Sequence, residues 1–209
     1  MRSKAIVLDL DDTLLSTHYR QFACINDYLL YKGIPFILFE DYLSRRRLNN
    51  LSNTNLLKSL KIQLDWEKFT FYYMQNIESE RYLDFDELIV DRELLAKALR
   101  KDITLILLSL RGNAANSMNQ LKKLGLAEYF KHVYFEPHND ILNPKQGRLS
   151  QLNKTYDIIA FCGDSIFDYE AALNLNINFA QVRTSLYQLP DFERARHYDT
   201  VNQFLATDI

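Results

Sequence analysis

The stretch Ala5-Ile6-Val7-Leu8-Asp9-Leu10-Asp11-Asp12-Thr13 decides the reading of this chain. Its first four residues are apolar or β-branched throughout, the composition of a strand buried on both faces of a sheet. Carboxylates at the end of such a strand do nothing for folding, because crowded or buried like charges cost free energy. Alternation along a strand puts Asp9 and Asp11 on one side and turns Leu10 to the other. Two carboxylates projecting together from the carboxyl end of a central strand suit a hard cation such as Mg2+. They also suit a division of labour between a nucleophile and a proton donor. A polar strand exit, or an acidic helix cap around Asp12-Thr13, is the plainer alternative. The rest of the chain has to choose between them.

Beyond this strand the character of the sequence changes. Residues 16–86 show no long strand pattern and offer helix-period segments at 19–31, 40–48, 53–60 and 65–82, the first closed by Gly33 and Pro35. Their aromatics, Phe22, Tyr28, Trp66, Phe69 and Tyr73 among them, fall at helical spacing and read as a core of their own. After Asp91, an N-cap for a helix over 92–101, strand and helix alternate. Strands are expected at 103–108, 132–135, 158–162 and 178–182, and helices at 116–124, 149–154 and 168–175. Repeated βα units with apolar strands predict an α/β fold, a Rossmann-like parallel sheet with helices on both faces. The expected organisation is a core domain of residues 1–15 and 87–209, interrupted by an inserted α-helical cap domain over 16–86.

Composition narrows the function classes. A formal charge of -2 and a pI near 6.1 give no electrostatic case for a nucleic-acid or membrane-surface binder. No apolar run reaches membrane length, and Met1-Arg2-Ser3-Lys4 leads straight into the first strand without a signal-peptide core. Cys24 and Cys162 match no metal-ligand spacing and read as reduced, buried small hydrophobes. A cytoplasmic protein, monomeric or weakly dimeric, fits these features.

In open parallel sheets, ligands bind outside the carboxyl ends of the strands. The predicted strand ends carry Asp9 and Asp11, then Ser109-Leu110-Arg111-Gly112, then Gly163-Asp164-Ser165 with Asp168 a helical turn on. Asn143-Pro144-Lys145 lies in the loop after the third strand. Each has an ordinary explanation: a turn serine, a solvated lysine, an N-cap at Asp164-Ser165 with a first-turn acid at Asp168. Those explanations would have to hold at four strand ends at once.

Taken together, these residues resemble the haloacid dehalogenase superfamily of phosphohydrolases, in particular its phosphoglycolate-phosphatase and β-phosphoglucomutase-like members with a helical cap. The resemblance rests on Ile6 to Leu14, on Leu107-Leu108-Ser109, on Lys145 and on Gly163 to Asp168. It extends to Leu121-Lys122-Lys123-Leu124-Gly125-Leu126-Ala127-Glu128-Tyr129-Phe130, which is similar to the helix and turn that follow the second motif. It implies a Mg2+-dependent phosphatase acting on a small phosphorylated metabolite. Asp9 would be the nucleophile that forms an aspartyl-phosphate, and Asp11 would protonate the leaving oxygen and then deprotonate water, which requires a raised proton affinity relative to Asp9. The metal would be held by the Asp9 side chain, the Asp11 backbone carbonyl and Asp164, with Asp168 orienting a metal-bound water or Asp164. Ser109 and the Leu110 N–H would bind phosphoryl oxygens, and Lys145 would balance the charge of Asp9 and the phosphoryl group.

Two features depart from the family pattern. Pro144 precedes the third-motif lysine where members often have it follow, which leaves Lys154 as a fallback for Lys145, and the helix after Asp168 ends without the usual Gly. Asp11 argues against dehalogenase chemistry. A sugar phosphomutase of the same superfamily is the first alternative, and a catalytically silent phospho-binding or interaction module the second. A response-regulator receiver fits poorly, since no candidate Asp ends the second or third strand. Within the helical block, Arg45-Arg46-Arg47 and His18 are candidates for substrate contact, with a solvated helix end the simpler reading of the arginines.

Overall fold

The computed structural model describes residues 2–139 and 142–209. The chain forms two compact units, one of Met1–Ser16, Leu88–Ser185 and Leu189–Ile209, the other of Thr17–Glu87 with Leu186–Gln188. In chain order the strands are β1 (Lys4–Leu8), the two-residue β2 (Leu15–Ser16) and β3 (Glu87–Leu88), then β4 (Thr104–Leu110), β5 (His132–Glu136), β6 (Asp157–Gly163), β7 (Phe179–Val182) and β8 (Ala195–Tyr198). Among the described residues one sheet of six strands runs in the order β5-β4-β1-β6-β7-β8, and its pairings are parallel.

The sheet's alternation divides the core of the first unit. Ile6 and Leu8 of β1 pack with Leu105, Leu107 and Cys162 against Leu95 of α6 (Arg92–Arg100), Leu121 of α7 (Ala114–Lys123) and Phe204 of α10 (Val201–Thr207). Ala5 and Val7 face the other way, with Ile106, Leu108 and Phe161, onto Leu149 and Leu152 of α8 (Pro144–Thr155) and Ala171 of α9 (Ile166–Leu173). Helices therefore cover both faces, as the sequence pattern predicts. Ile6, Val7 and Leu8 are wholly inaccessible, and burial on that scale stabilises by about 1.5–3 kcal/mol per side chain. That is the reserve that lets this strand end in charge.

The second unit is helical: α1 (His18–Tyr31), α2 (Phe39–Asn49), α3 (Asn53–Ser59), α4 (Trp66–Asn76) and α5 (Glu80–Leu83). Its core gathers Ile25, Tyr28, Tyr42, Leu57 and Phe69, with Phe22, Trp66 and Tyr73 packed against it, so these aromatics are structural. The single helix expected over 65–82 is two. Ile77 closes α4, the Ser79 N–H donates to the Asn76 carbonyl at 2.8 Å, and Ser79 in extended conformation starts α5. Leu186–Gln188 joins this unit although the sequence places it in the core domain. Leu186 is buried in the helical core, and Gln188 exchanges two hydrogen bonds with Asn50, at 2.7 and 2.8 Å.

Three elements of the first unit differ from expectation. Helix α8 begins at Pro144, not near 149, because Asn143 caps it and Pro144 takes N1, the position where a missing N–H costs nothing. Strand β8 and helix α10 had no apolar period strong enough to announce them. No helix among the described residues is long and apolar enough to cross a membrane.

Candidate active site

Asp9 continues the series Ala5, Val7, so its side chain leaves the sheet on the side of α8 and α9. Its N–H donates to the Cys162 carbonyl at 2.9 Å, extending the β1–β6 ladder one residue past the strand. Leu10 turns into the opposite core beside Ile6 and Leu8. The chain then closes tightly: the N–H groups of Thr13, Leu14 and Leu15 all point at the Leu10 carbonyl, at 3.3, 2.9 and 3.0 Å. Asp12 makes this turn in the left-handed region (φ 53°), which a short polar side chain tolerates.

Helices α8 and α9 bring their first turns to the same edge. Asn143 accepts from the Lys145 N–H at 3.1 Å and donates to the Phe167 carbonyl of α9 at 2.7 Å, tying the two helix starts together. Lys145 thus sits in a helical first turn, not in the loop expected from the sequence, and it is only 2% exposed. Its ammonium donates to Asp9 Oδ1 at 2.6 Å and to Asp168 Oδ1 at 2.5 Å. Ser165 caps α9 in a reciprocal box with Asp168: the Asp168 N–H donates to Ser165 Oγ at 3.3 Å, and Oδ2 of Asp168 accepts from the Ser165 N–H at 3.1 Å and hydroxyl at 2.6 Å. The ordinary capping explanation of Ser165 and Asp168 is therefore true, and it leaves the other oxygen of Asp168 for Lys145. Gly163 is required by this packing, since a Cβ there would stand 2.4 Å from Asp168 Oδ2.

Carboxylate oxygens of Asp9, Asp164 and Asp168 lie within 4.8 Å of one another, a cluster with the geometry to hold a metal ion. Burial raises the Asp9 carboxyl to about 7; Lys145 pulls it down, while Asp168 and Asp11 push it up. Asp164 is raised well above the carboxylate range by burial, and then by the charges of Asp12, Asp9 and Asp168. Burial works against the Lys145 ammonium, but Asp168 and Asp9 outweigh it and hold its proton more tightly than usual. Lys145 pairs directly with two of the three carboxyl groups, Asp9 and Asp168. Oxygen donors of this kind suit Mg2+.

Asp11 is held elsewhere. Its carboxylate forms a two-point ion pair with Arg111, Nη2 on Oδ1 and Nε 3.3 Å from Oδ2. Sequence reasoning named Arg111 only as part of a strand end and gave it no role; a cation directly after Ser109-Leu110 was the available signal. Ser109 is buried on β4, two residues beyond Leu107, the register partner of Leu8, and Leu110 ends the strand. Lys154, the fallback for Lys145, is exposed in the last turn of α8, away from that helix's first turn.

In the helical unit the three arginines separate. Arg46 is buried and fixed, donating to the Leu51 carbonyl, Gln21 and Tyr42 at 2.9, 3.0 and 2.8 Å, whereas Arg45 and Arg47 are exposed. Arg46 is thus a structural residue of that unit, and His18 is the half-buried first residue of α1.

A family model described as haloacid dehalogenase-like hydrolase matches residues 6–182, most of the chain. No curated protein matches the sequence. Solved structures with the same fold carry divergent names. One is protein tyrosine kinase A from Mycobacterium tuberculosis, 17% identical, with a TM-score of 0.73 over 97% of this chain and 96% of that one. Another is a predicted phosphoglycolate phosphatase from Haemophilus somnus, 16% identical, with a TM-score of 0.70 over 100% and 99%. A third is a candidate β-phosphoglucomutase from Thermotoga maritima, 20% identical, with a TM-score of 0.66 over 97% of each. At such identities the likeness concerns the fold.

Proposed function

The chain belongs to the haloacid dehalogenase-like hydrolases, and we propose that within that family it is a Mg2+-dependent phosphatase that hydrolyses a small phosphate monoester through an aspartyl-phosphate. The observation that carries this reading is the cluster of Asp9, Asp164 and Asp168 around the buried Lys145 at the carboxyl edge of the sheet. Neither a structural role nor simple anion binding accounts for three carboxyl groups gathered this closely at one edge of the sheet. Asp9 and Asp164, with the Asp11 carbonyl, would hold the ion, which when bound supplies charge neutralisation at the phosphoryl group.

The chain's own residues then divide the work. Lys145 occupies Oδ1 of Asp9, so in-line attack on phosphorus falls to Oδ2. The bond to the leaving oxygen breaks as the Asp9–phosphorus bond forms, and Asp11 gives that oxygen a proton. Water next attacks phosphorus, passes its proton to Asp11 and releases Asp9 with inorganic phosphate. Ser109 and the Leu110 N–H bind phosphoryl oxygens, while Lys145 balances the charge that gathers on Asp9. Asp168 positions Lys145 and Asp164, held by Lys145 on one oxygen and by Ser165 on the other. The inserted helical unit is the cap of this scheme and would select the leaving group.

The test is a phosphate-release screen over a broad panel of monoesters with Mg2+, run beside the Asp9→Asn protein. Release by the native protein alone supports the reading. Equal release by both proteins, or none by either from any ester, rejects it.

A further inference from the structure

We propose that Arg111 is the positioning residue for Asp11, and that Gln120 holds Arg111 to that task. The inference rests on the proton-carrying role given to Asp11 above. The Arg111 guanidinium is wholly buried, whereas the Asp11 side chain it meets is 31% exposed. Arg111 is anchored from behind: its N–H donates to the Glu136 carbonyl at 2.9 Å, and its Nη1 donates to Oε1 of the buried Gln120 in α7 at 2.6 Å. Its Nε and Nη2 edge is spent on the two oxygens of Asp11.

Burying a guanidinium to meet a half-exposed carboxylate is a poor route to stability, because the desolvation of the cation offsets most of the attraction. What the arrangement does supply is orientation. The planar fork engages both oxygens of a carboxylate at once and fixes the plane of the group, which a lysine at the same place would not do. Asp11 opens the tight turn that closes on the Leu10 carbonyl, and the fork on its carboxylate comes from Arg111, directly after the neighbouring strand β4. The two β1-exit carboxylates are thereby assigned to separate buried cations, Asp9 to Lys145 and Asp11 to Arg111. That assignment keeps Asp11 from competing for Lys145 and aims it at one place.

The experiment is a double-mutant cycle read in turnover of p-nitrophenyl phosphate, whose leaving group needs little protonation and so leaves an Asp11→Asn protein measurable. Arg111→Met should lower kcat roughly 10-fold to 100-fold, part of what a placed acid–base group contributes. KM and inhibition by inorganic phosphate should stay within about twofold, because the fork is not a phosphoryl ligand. On the Asp11→Asn background the same change should cost nothing further, and added guanidinium ion should restore part of the rate of Arg111→Ala only where Asp11 is present. Arg111→Lys, which keeps the buried charge and loses the fork, should resemble Arg111→Met and serves if the methionine protein does not fold. An equal loss on both backgrounds, or a weakened phosphate inhibition, overturns the inference while leaving the proposed function standing. A native protein that is inactive on the whole ester panel overturns both.

Discussion

The Lys145 ammonium sits 2.6 Å from Oδ1 of Asp9, with both side chains almost wholly withdrawn from solvent. The same ammonium reaches Asp168, so one cation ties β1 to the first turn of α9 through the first turn of α8. A buried lysine between two carboxylates is a centre of the site and a structural cross-brace together.

Replacing Lys145 by Met should therefore cost more than activity. The change leaves Asp9 and Asp168 facing each other without a counter-charge, and breaking a buried pair from one side typically destabilises by about 3–5 kcal/mol. Urea unfolding of the metal-free protein checks this. A Lys145→Met protein as stable as the native one would show that the ammonium is not holding the three segments together.

Metal-free stability should depend on pH in a direction that the Asp9 carboxyl fixes. Burial raises it from 3.8 to about 7 in the folded protein. Between those values the folded chain binds more protons at this group than the unfolded chain, so the group's contribution to stability falls as pH rises through the window. Melting temperatures of the metal-free native protein, taken relative to Asp9→Asn, should decline from about pH 4 to about pH 7. Mg2+ should reverse the decline and should not do so in Asp164→Asn. A flat or rising difference would contradict the burial argument.

Gly163→Ala tests how closely β6 and α9 are fitted. Its Cβ would meet Asp168 Oδ2 at 2.4 Å and Cγ at 2.6 Å, so the carboxylate must move off Ser165 and Lys145. Overpacking of this kind typically costs about 1–3 kcal/mol. The expected outcome is a lower melting temperature together with a fall in kcat, read by thermal unfolding and by turnover. Native-like values for both would mean that Asp168 can shift freely.

How far these relationships were legible depended on whether local chemistry conflicted with folding. Asp9 and Asp11 stood out because nothing in a buried strand favours such an ending. Gly163, Asp164 and Asp168 repeated the anomaly after a second apolar run. Lys145 was visible only by order and spacing, and its loop placement was an error that Asn143-Pro144, an N-cap followed by Pro at N1, could have prevented. Arg111 offered only its place directly after Ser109-Leu110, since its partners Asp11 and Gln120 stand 100 and 9 residues away in the chain. The break at Ile77 to Ser79 and the late elements β8 and α10 escaped because short segments have weak periods. Tertiary packing decides them.

The most direct measurement of the central claim is turnover of the Asp9→Asn protein, folded as judged by circular dichroism and melting, on whichever ester the native protein hydrolyses with Mg2+. The account predicts a loss of at least about a thousandfold, the scale on which removing a nucleophile acts, and no acid-stable phosphoryl adduct on the variant where the native protein shows one at residue 9. Phosphate release at the native rate from folded Asp9→Asn would contradict it.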